Sequence, residues 1–336
     1  MTPANVKREG VVASVLSAPR DRESTAAGAY QSRFGTWDAR ASVRTKPRRI
    51  LDEHRDGRLF FPVELVPALA HPAVAAVADA ELVRRILMHR LHAYLTFTSD
   101  LEQLVVNPVT QLLSRQRLGF DLPVPMLRDA TKICTDEAWH ALFSDDLADQ
   151  IVDATGELPI AFPQPRFLIE LERLCADEDS DIRGLTRLFF TVVSETLISA
   201  ILCGIPHDRR VITAVRETVA DHAEDEGRHH AFYAHFFQYA WHQLGPAQRR
   251  RVGPLLPEFI VAFLAPDRGA LSALLALAPL DADTIRGVID ESHPAPQVRA
   301  AVRKAAASTL RVFTRTGVLA DPRTYDRFAQ HGLIDG

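Results

Sequence analysis

From about residue 78 onward, apolar positions recur three and four residues apart, and strand-like alternation is nearly absent. This spacing predicts long helices over about 78–116, 123–154, 165–177, 181–204, 208–243, 246–265, 268–292 and 295–317. Turn signals fall between them: "GFDLPVP", "TGELP", "CGIPHD", "LGPAQ", "APDRG" and "HPAPQ", where proline cannot continue a helix and glycine can leave one. The predicted fold class is all-α, with no repeat of solenoid length. Residues 1–45 are rich in Arg, Ser, Ala and Thr without sustained periodicity, and are expected to form a flexible N-terminal arm. Residues 46–336 are expected to form a single domain, entered through a segment that Pro62, Pro67 and Pro72 keep irregular.

Two of the predicted helices carry the same word. "DEAWH" at 136–140 and "DEGRH" at 225–229 both read Asp-Glu-x-x-His. A Glu and a His three residues apart share one helix face. The apolar stripes say which way that face points. Glu102 shares its stripe with Leu91, Leu95, Thr98, Val105, Val109 and Leu113; Glu195 shares its own with Leu188, Thr191, Ile198 and Leu202. Glu137 and His140 lie with Ile133, and Glu226 lies with Val219, His222, His229 and Tyr233. All four carboxylates therefore point inward, where an unpaired charge is too costly to keep.

Glu102, Glu137, Glu195 and Glu226, with His140, His222 and His229, would meet at one place. Two metal ions, bridged by carboxylates and capped by imidazoles, neutralise such a set in a way that hydrogen bonds do not. Asp136 and Asp225, one residue before a Glu, are suited to accept the second N–H of a ligand imidazole and so fix its tautomer. Carboxylate-rich ligation favours iron over zinc, and ligand types alone do not separate iron from manganese.

A net charge of −4 and 47% hydrophobic residues give no reason to expect nucleic acid as a partner. The longest apolar run, "LFFTVVSETLISAILCGI", holds Glu195 near its centre, so a buried helix is expected and no membrane span. The same helix is compatible with a homodimer interface. Cys134, Cys175 and Cys203 lie far apart without C-x-x-C pairing and read as buried reduced thiols of a cytoplasmic protein.

The segments "RILDEH", "PVELVPALAHP", "EQLVVNP", "DEAWH", "SETLISAIL" and "HAEDEGRHH" resemble the p-aminobenzoate N-oxygenase family of ferritin-like di-iron amine oxygenases, over about residues 50–240. The resemblance implies a ferritin-like four-helix bundle core with additional C-terminal helices. It implies Glu102, Glu137, His140, Glu195, His222, Glu226 and His229 as ligands of two irons, His222 being the extra histidine that marks the family. It also implies dioxygen as co-substrate, an external reductase or other electron donor, and an amine oxidised to a hydroxylamine or beyond in natural-product biosynthesis. No flavin or nicotinamide fingerprint is visible in the chain. The family pattern places an arginine five residues before the first Glu, where this chain has Phe97, while Tyr94 is retained. A phenyl ring cannot bind a carboxylate bidentately, so the expected substrate is a neutral arylamine or an amino acid whose carboxyl is tied up as a carrier-protein thioester. Tyr94, Phe97, Thr98, Thr191 and Ser199 are the expected pocket residues. A di-iron C-hydroxylase or desaturase, or a non-catalytic iron-binding bundle, are the alternatives that the residues leave open.

Overall fold

The apolar stripes become the inner faces of four long helices in a computed structural model, which describes residues 30–52, 57–176 and 178–335. Three single-turn helices come first: α1 (Trp37–Arg40), α2 (Ser42–Thr45) and α3 (Pro72–Ala75). The bundle is built from α4 (Ala80–Asp100) with its continuation α5 (Asn107–Ser114), α6 (Val124–Thr155), α8 (Ser180–Leu202) and α9 (Thr213–Gln243). A shorter helix, α7 (Arg166–Ala176), lies between the two halves in sequence. The remainder is α10 (Pro246–Val252), α11 (Leu256–Leu264), α12 (Arg268–Leu275), α13 (Ala282–Ser292), α14 (Ala295–Ala305), α15 (Ala307–Arg315) and α16 (Pro322–Gln330). Among the described residues there is no β-strand; the one extended pairing is an isolated bridge between Leu59 and Val211.

In the bundle α4 packs on α6 and α8 on α9, and α6 against α9 joins the two halves. One hydrophobic core runs from Tyr30 to Leu333, and a smaller cluster gathers Val74 with residues of α12 and α13. Asp79 and Asp179 cap the first turns of α4 and α8, accepting from the Leu82 and Ile182 N–H groups at 2.8 and 3.1 Å. Gly156, at φ 72°, takes the left-handed conformation that ends α6. Three predicted helices are broken. Pro254 sits in a 3-10 turn that separates α10 from α11, Asp281 caps a fresh start at α13, and α14 yields to α15 at Ala306. The helix α16 was not anticipated.

Between α4 and α5 the residues Leu101–Val106 form a π-helical turn, closed by the Asn107 N–H bonding back to the Glu102 carbonyl. Pro108 supplies a local reason, since it has no N–H to give to the carbonyl one α-turn earlier. Two carbonyls at the end of this turn also accept from hydroxyls: Thr110 Oγ1 donates to Val106 O at 2.7 Å and Thr191 Oγ1 to Val105 O at 3.2 Å.

The helix α8 is the one described helix long and apolar enough to cross a membrane, and 78% of its apolar window is buried inside the protein. Its inner face carries Glu195, so its apolarity serves the core. The three cysteines are free, but of the three expected to be buried only Cys175 is; Cys134 is half-buried and Cys203 is exposed at the end of α8.

The expected N-terminal arm needs correction over residues 30–45; residues 1–29 lie outside the described residues. Tyr30, Phe34, Ala41 and Ser42 are buried, and the Tyr30 hydroxyl donates to Asp129 at 2.8 Å. Aromatic side chains at irregular spacing do here what a periodic stripe does in a helix.

Candidate metal centre

Glu102 enters the bundle interior from the π turn, Glu137 and His140 from α6, Glu195 from α8, and His222, Glu226 and His229 from α9. Each is at most 1% exposed. Ligand atoms of three overlapping sets lie within 4.8 Å of one another: Glu102 with His140, His222 and Glu226; Glu137 with His140, Glu226 and His229; and Glu102 with Glu137 and Glu195. All seven residues predicted from the sequence therefore meet in one place.

The two histidines of the repeated word turn the same atom inward. His140 Nδ1 lies 2.8 Å from Glu137 Oε2, and His229 Nδ1 lies 2.8 Å from Glu137 Oε1 and 3.2 Å from Glu226 Oε1. His222 presents Nε2 instead, 3.1 Å from Glu226 Oε1 and 3.6 Å from Glu102 Oε1. Its ring centroid is 4.1 Å from that of His140.

The outward nitrogens are held by the two aspartates, and the pairing crosses between halves. His140 Nε2 meets Asp225 Oδ2 at 3.1 Å, and His229 Nε2 meets Asp136 Oδ2 at 3.2 Å. Each word thus orients the histidine of the other helix. The aspartates are in turn held by the segment ahead of the bundle: Trp37 Nε1 donates to both Asp136 oxygens at 2.9 Å, and the Ser42 N–H donates to Asp225 at 3.1 Å. Arg228 also donates to Asp225. Phe34 stacks near His229, with ring centroids 6.1 Å apart. Trp37 and Ser42 lack helical periodicity, so only their contacts reveal their place.

The electrostatics of the cluster are compatible with a cation site. Burial first, then the charges of Glu137, Glu195 and Glu226, hold Glu102 well above the usual carboxylate range. Glu195 is raised in the same way by burial and by Glu137 and Glu226. Burial works against charge on Glu137 and Glu226 too, yet the adjacent His229 and the imidazole hydrogen bonds pull both below the ordinary value. His140 is raised to about 10: burial opposes its charge, and the bonds to Asp225 and Glu137 overcome it. Without a cation, protons must therefore stand in for it. The carboxylate oxygens agree: both of Glu102, both of Glu195 and Glu226 Oε2 are buried without a hydrogen-bond partner. A buried acceptor left unpaired costs roughly 1–3 kcal/mol, so this donor set fits metal ions, with imidazoles and carboxylates in the proportions that iron or manganese take.

A cavity of about 720 Å³ lies along the outer side of α4, against α7 and α11, walled by Arg90, Tyr94, Phe97, Asp100, Phe167 and Phe263. Of the expected pocket residues, Tyr94 and Phe97 line it, and the Phe97 ring packs edge-on against Phe167 at 5.0 Å. Thr98 is buried between this wall and the cluster in sequence, one turn before Glu102. Thr191 turns out to brace the π turn, its hydroxyl bonding the Val105 carbonyl. Ser199 is exposed on the last turn of α8, where Ile198 and Leu202 take the covered face, and it does not line the cavity. His230 and His235 bond backbone carbonyls of Thr196 and Ala231 and take no part in the cluster.

Residues 45–317 match the family described as p-aminobenzoate N-oxygenase AurF. The chain belongs to the p-aminobenzoate N-oxygenase family. It is 28% identical over 261 residues to a 4-aminobenzoate N-oxygenase of Streptomyces thioluteus, covering 75% of this chain and 74% of that protein. The match spans every residue of the cluster and both aspartates, but begins after Trp37 and Ser42.

Proposed function

We propose that the protein is a di-iron amine N-oxygenase on a ferritin-like bundle. The observation that carries this is the set of orphaned, buried carboxylate oxygens facing three imidazoles, in a member of an N-oxygenase family. Glu102, Glu137, Glu195, Glu226, His140, His222 and His229 would hold two irons, manganese fitting the same donors. When bound, the metals supply dioxygen activation, with electrons from an external donor. The protein's own part is positional. Asp225 and Asp136 keep the Nε2 hydrogens of His140 and His229, which leaves each Nδ1 free to bind. Phe97, Phe167 and Phe263 pack against one another and give the cavity an apolar wall suited to an apolar part of the substrate.

With Phe97 on that wall, a free carboxylate beside the amine has no guanidinium five residues before Glu102 to meet it. The substrate is then a neutral arylamine or an amino acid amine carried as a thioester, and the product a hydroxylamine or a more oxidised nitrogen species. The test uses anaerobically reconstituted protein, expected to hold about two irons per chain by the ligand count. It is then given reductant, oxygen-18 gas and a neutral arylamine. Label on nitrogen is the expected result. Label on carbon would turn the assignment to a C-hydroxylase, and absence of any turnover would turn it to an iron-binding bundle.

A further inference from the structure

A second cavity, of about 190 Å³, opens between α6 and α9 and shares no lining residue with the larger one. Phe143 lines it, three residues beyond His140 on α6, and Thr218 lines it from α9, one turn before His222. The Phe143 ring also touches the cluster. Its centroid lies 5.4 Å from that of His140 and 5.9 Å from that of His222. One aromatic ring therefore stands between this cavity and two of the seven clustered side chains.

The charged groups that line the cavity are paired with one another. Residues 46–49 run extended across its rim, from which Arg48 donates to both Asp146 oxygens of α6 at 2.8 and 2.9 Å, and Arg49 to both Asp221 oxygens of α9 at 2.8 and 3.1 Å. Lys46 lies 3.6 Å from Asp221 as well. An ionised ligand would have to break one of these pairs. The rest of the wall is mostly apolar: Trp139, Leu142, Phe143 and Leu147, with Trp139 edge-on to Phe143 at 6.1 Å. A ligand that hydrogen-bonds strongly to water would lose those bonds here for little return. A small apolar molecule loses nothing, and cavities of about 150 Å³ with such walls take up xenon or benzene. Of the reactants that an amine N-oxygenase needs, dioxygen is the one with this chemistry. We infer that the cavity gathers dioxygen and that Phe143 is the door through which it reaches the centre, on the side of His140 and His222. The inference rests on the amine N-oxygenase reading for the identity of the gas, and it leaves the larger cavity to the amine.

The test follows nitric oxide, an uncharged diatomic that binds ferrous ions, by stopped-flow absorbance on full-length, iron-loaded protein without oxygen. Leu142→Trp, at an exposed position, should fill the cavity and slow both association and release about tenfold, and Phe143→Ala should speed both. A route is crossed in both directions, so the equilibrium affinity should not move. If Phe143→Ala shifts the affinity as well, Leu142→Trp decides. Unchanged rates in Leu142→Trp overturn the inference, and so does a rate change there matched by a change in affinity, since the side chain would then act on the centre itself. Xenon needs no iron: in crystals held under the gas it should settle beside Phe143, and its absence from this cavity overturns the inference too. Aniline that slows nitric oxide in the wild type but not in Leu142→Trp would make the cavity the amine's site instead. Failure of the oxygen-18 assay beside the expected gas kinetics sinks the N-oxygenase reading and leaves the gas route standing.

Discussion

Replacing Glu195 by Gln should stabilise the metal-free protein and weaken the metal-loaded one. Both Glu195 oxygens are buried without a partner, and the residue is 1% exposed. Burial and the charges of Glu137 and Glu226 raise its pKa well above the carboxylate range. A carboxyl group raised in the folded state contributes stability fully below its unfolded value, and that contribution is lost as pH rises through the folded value. Metal-free wild type should therefore lose stability from about pH 5 upward. The glutamine has no charge to bury, and its amide can donate to the neighbouring Glu137 carboxylate. Relief of one such penalty is worth about 1–3 kcal/mol, or roughly 1–4 °C in melting temperature for a chain of this size. With iron or manganese bound the order should reverse, because the amide is a poorer ligand and cannot neutralise the cation. Melting curves of both proteins, with and without metal, at pH 5.5 and 7.5, show whether the lines cross. If metal-free Glu195→Gln melts below wild type at pH 7.5, the carboxylate is satisfied by something in the protein itself and the cluster is not waiting for cations.

Three further outcomes follow from the same geometry. Trp37→Phe removes the indole N–H from Asp136, the carboxylate that holds His229, and should weaken iron or cobalt binding about tenfold, read by anaerobic titration. His222→Ala should leave helix content unchanged by circular dichroism yet alter the cobalt absorption spectrum, since six of the seven residues remain; an identical spectrum would remove His222 from the centre. Thr191→Val takes the hydroxyl from the Val105 carbonyl and should cost about 1 kcal/mol in urea unfolding of the metal-free protein, with no change if water replaces it.

The cluster was legible in the sequence because helix geometry is strict. A charged residue placed three, four and seven positions from Leu, Ile and Val must turn inward, and a buried carboxylate must find a cation. Glu102 is instructive, because the stripe located it even though the helix widens to a π turn there. Two things were hidden. Trp37 and Ser42 act from single-turn helices α1 and α2, where no period exists to be read, and their value lies only in whom they touch. Ser199 failed for a related reason: its position on the Glu195 stripe was right, but α8 runs out from under its neighbours in the last turn. Periodicity reports the direction of a side chain and not what covers it.

The crossed aspartates change what the repeated word means. Had Asp136 held His140, each Asp-Glu-x-x-His segment would be a self-contained half-site, and either half could form alone. Instead Asp136 reaches to His229 on α9 and Asp225 reaches to His140 on α6. Neither histidine is oriented until the two helices are packed, and neither aspartate is fully held until Trp37 and Ser42 close over it. Glu137 and Glu226 already sit between the two histidines, so the parts of the centre share every element that positions them. The crossed hydrogen bonds hold within the protein itself, so a substitution that breaks one of them should disturb both halves of the cluster. The site behaves as one unit because its outer hydrogen bonds, and not only its ligands, run between halves.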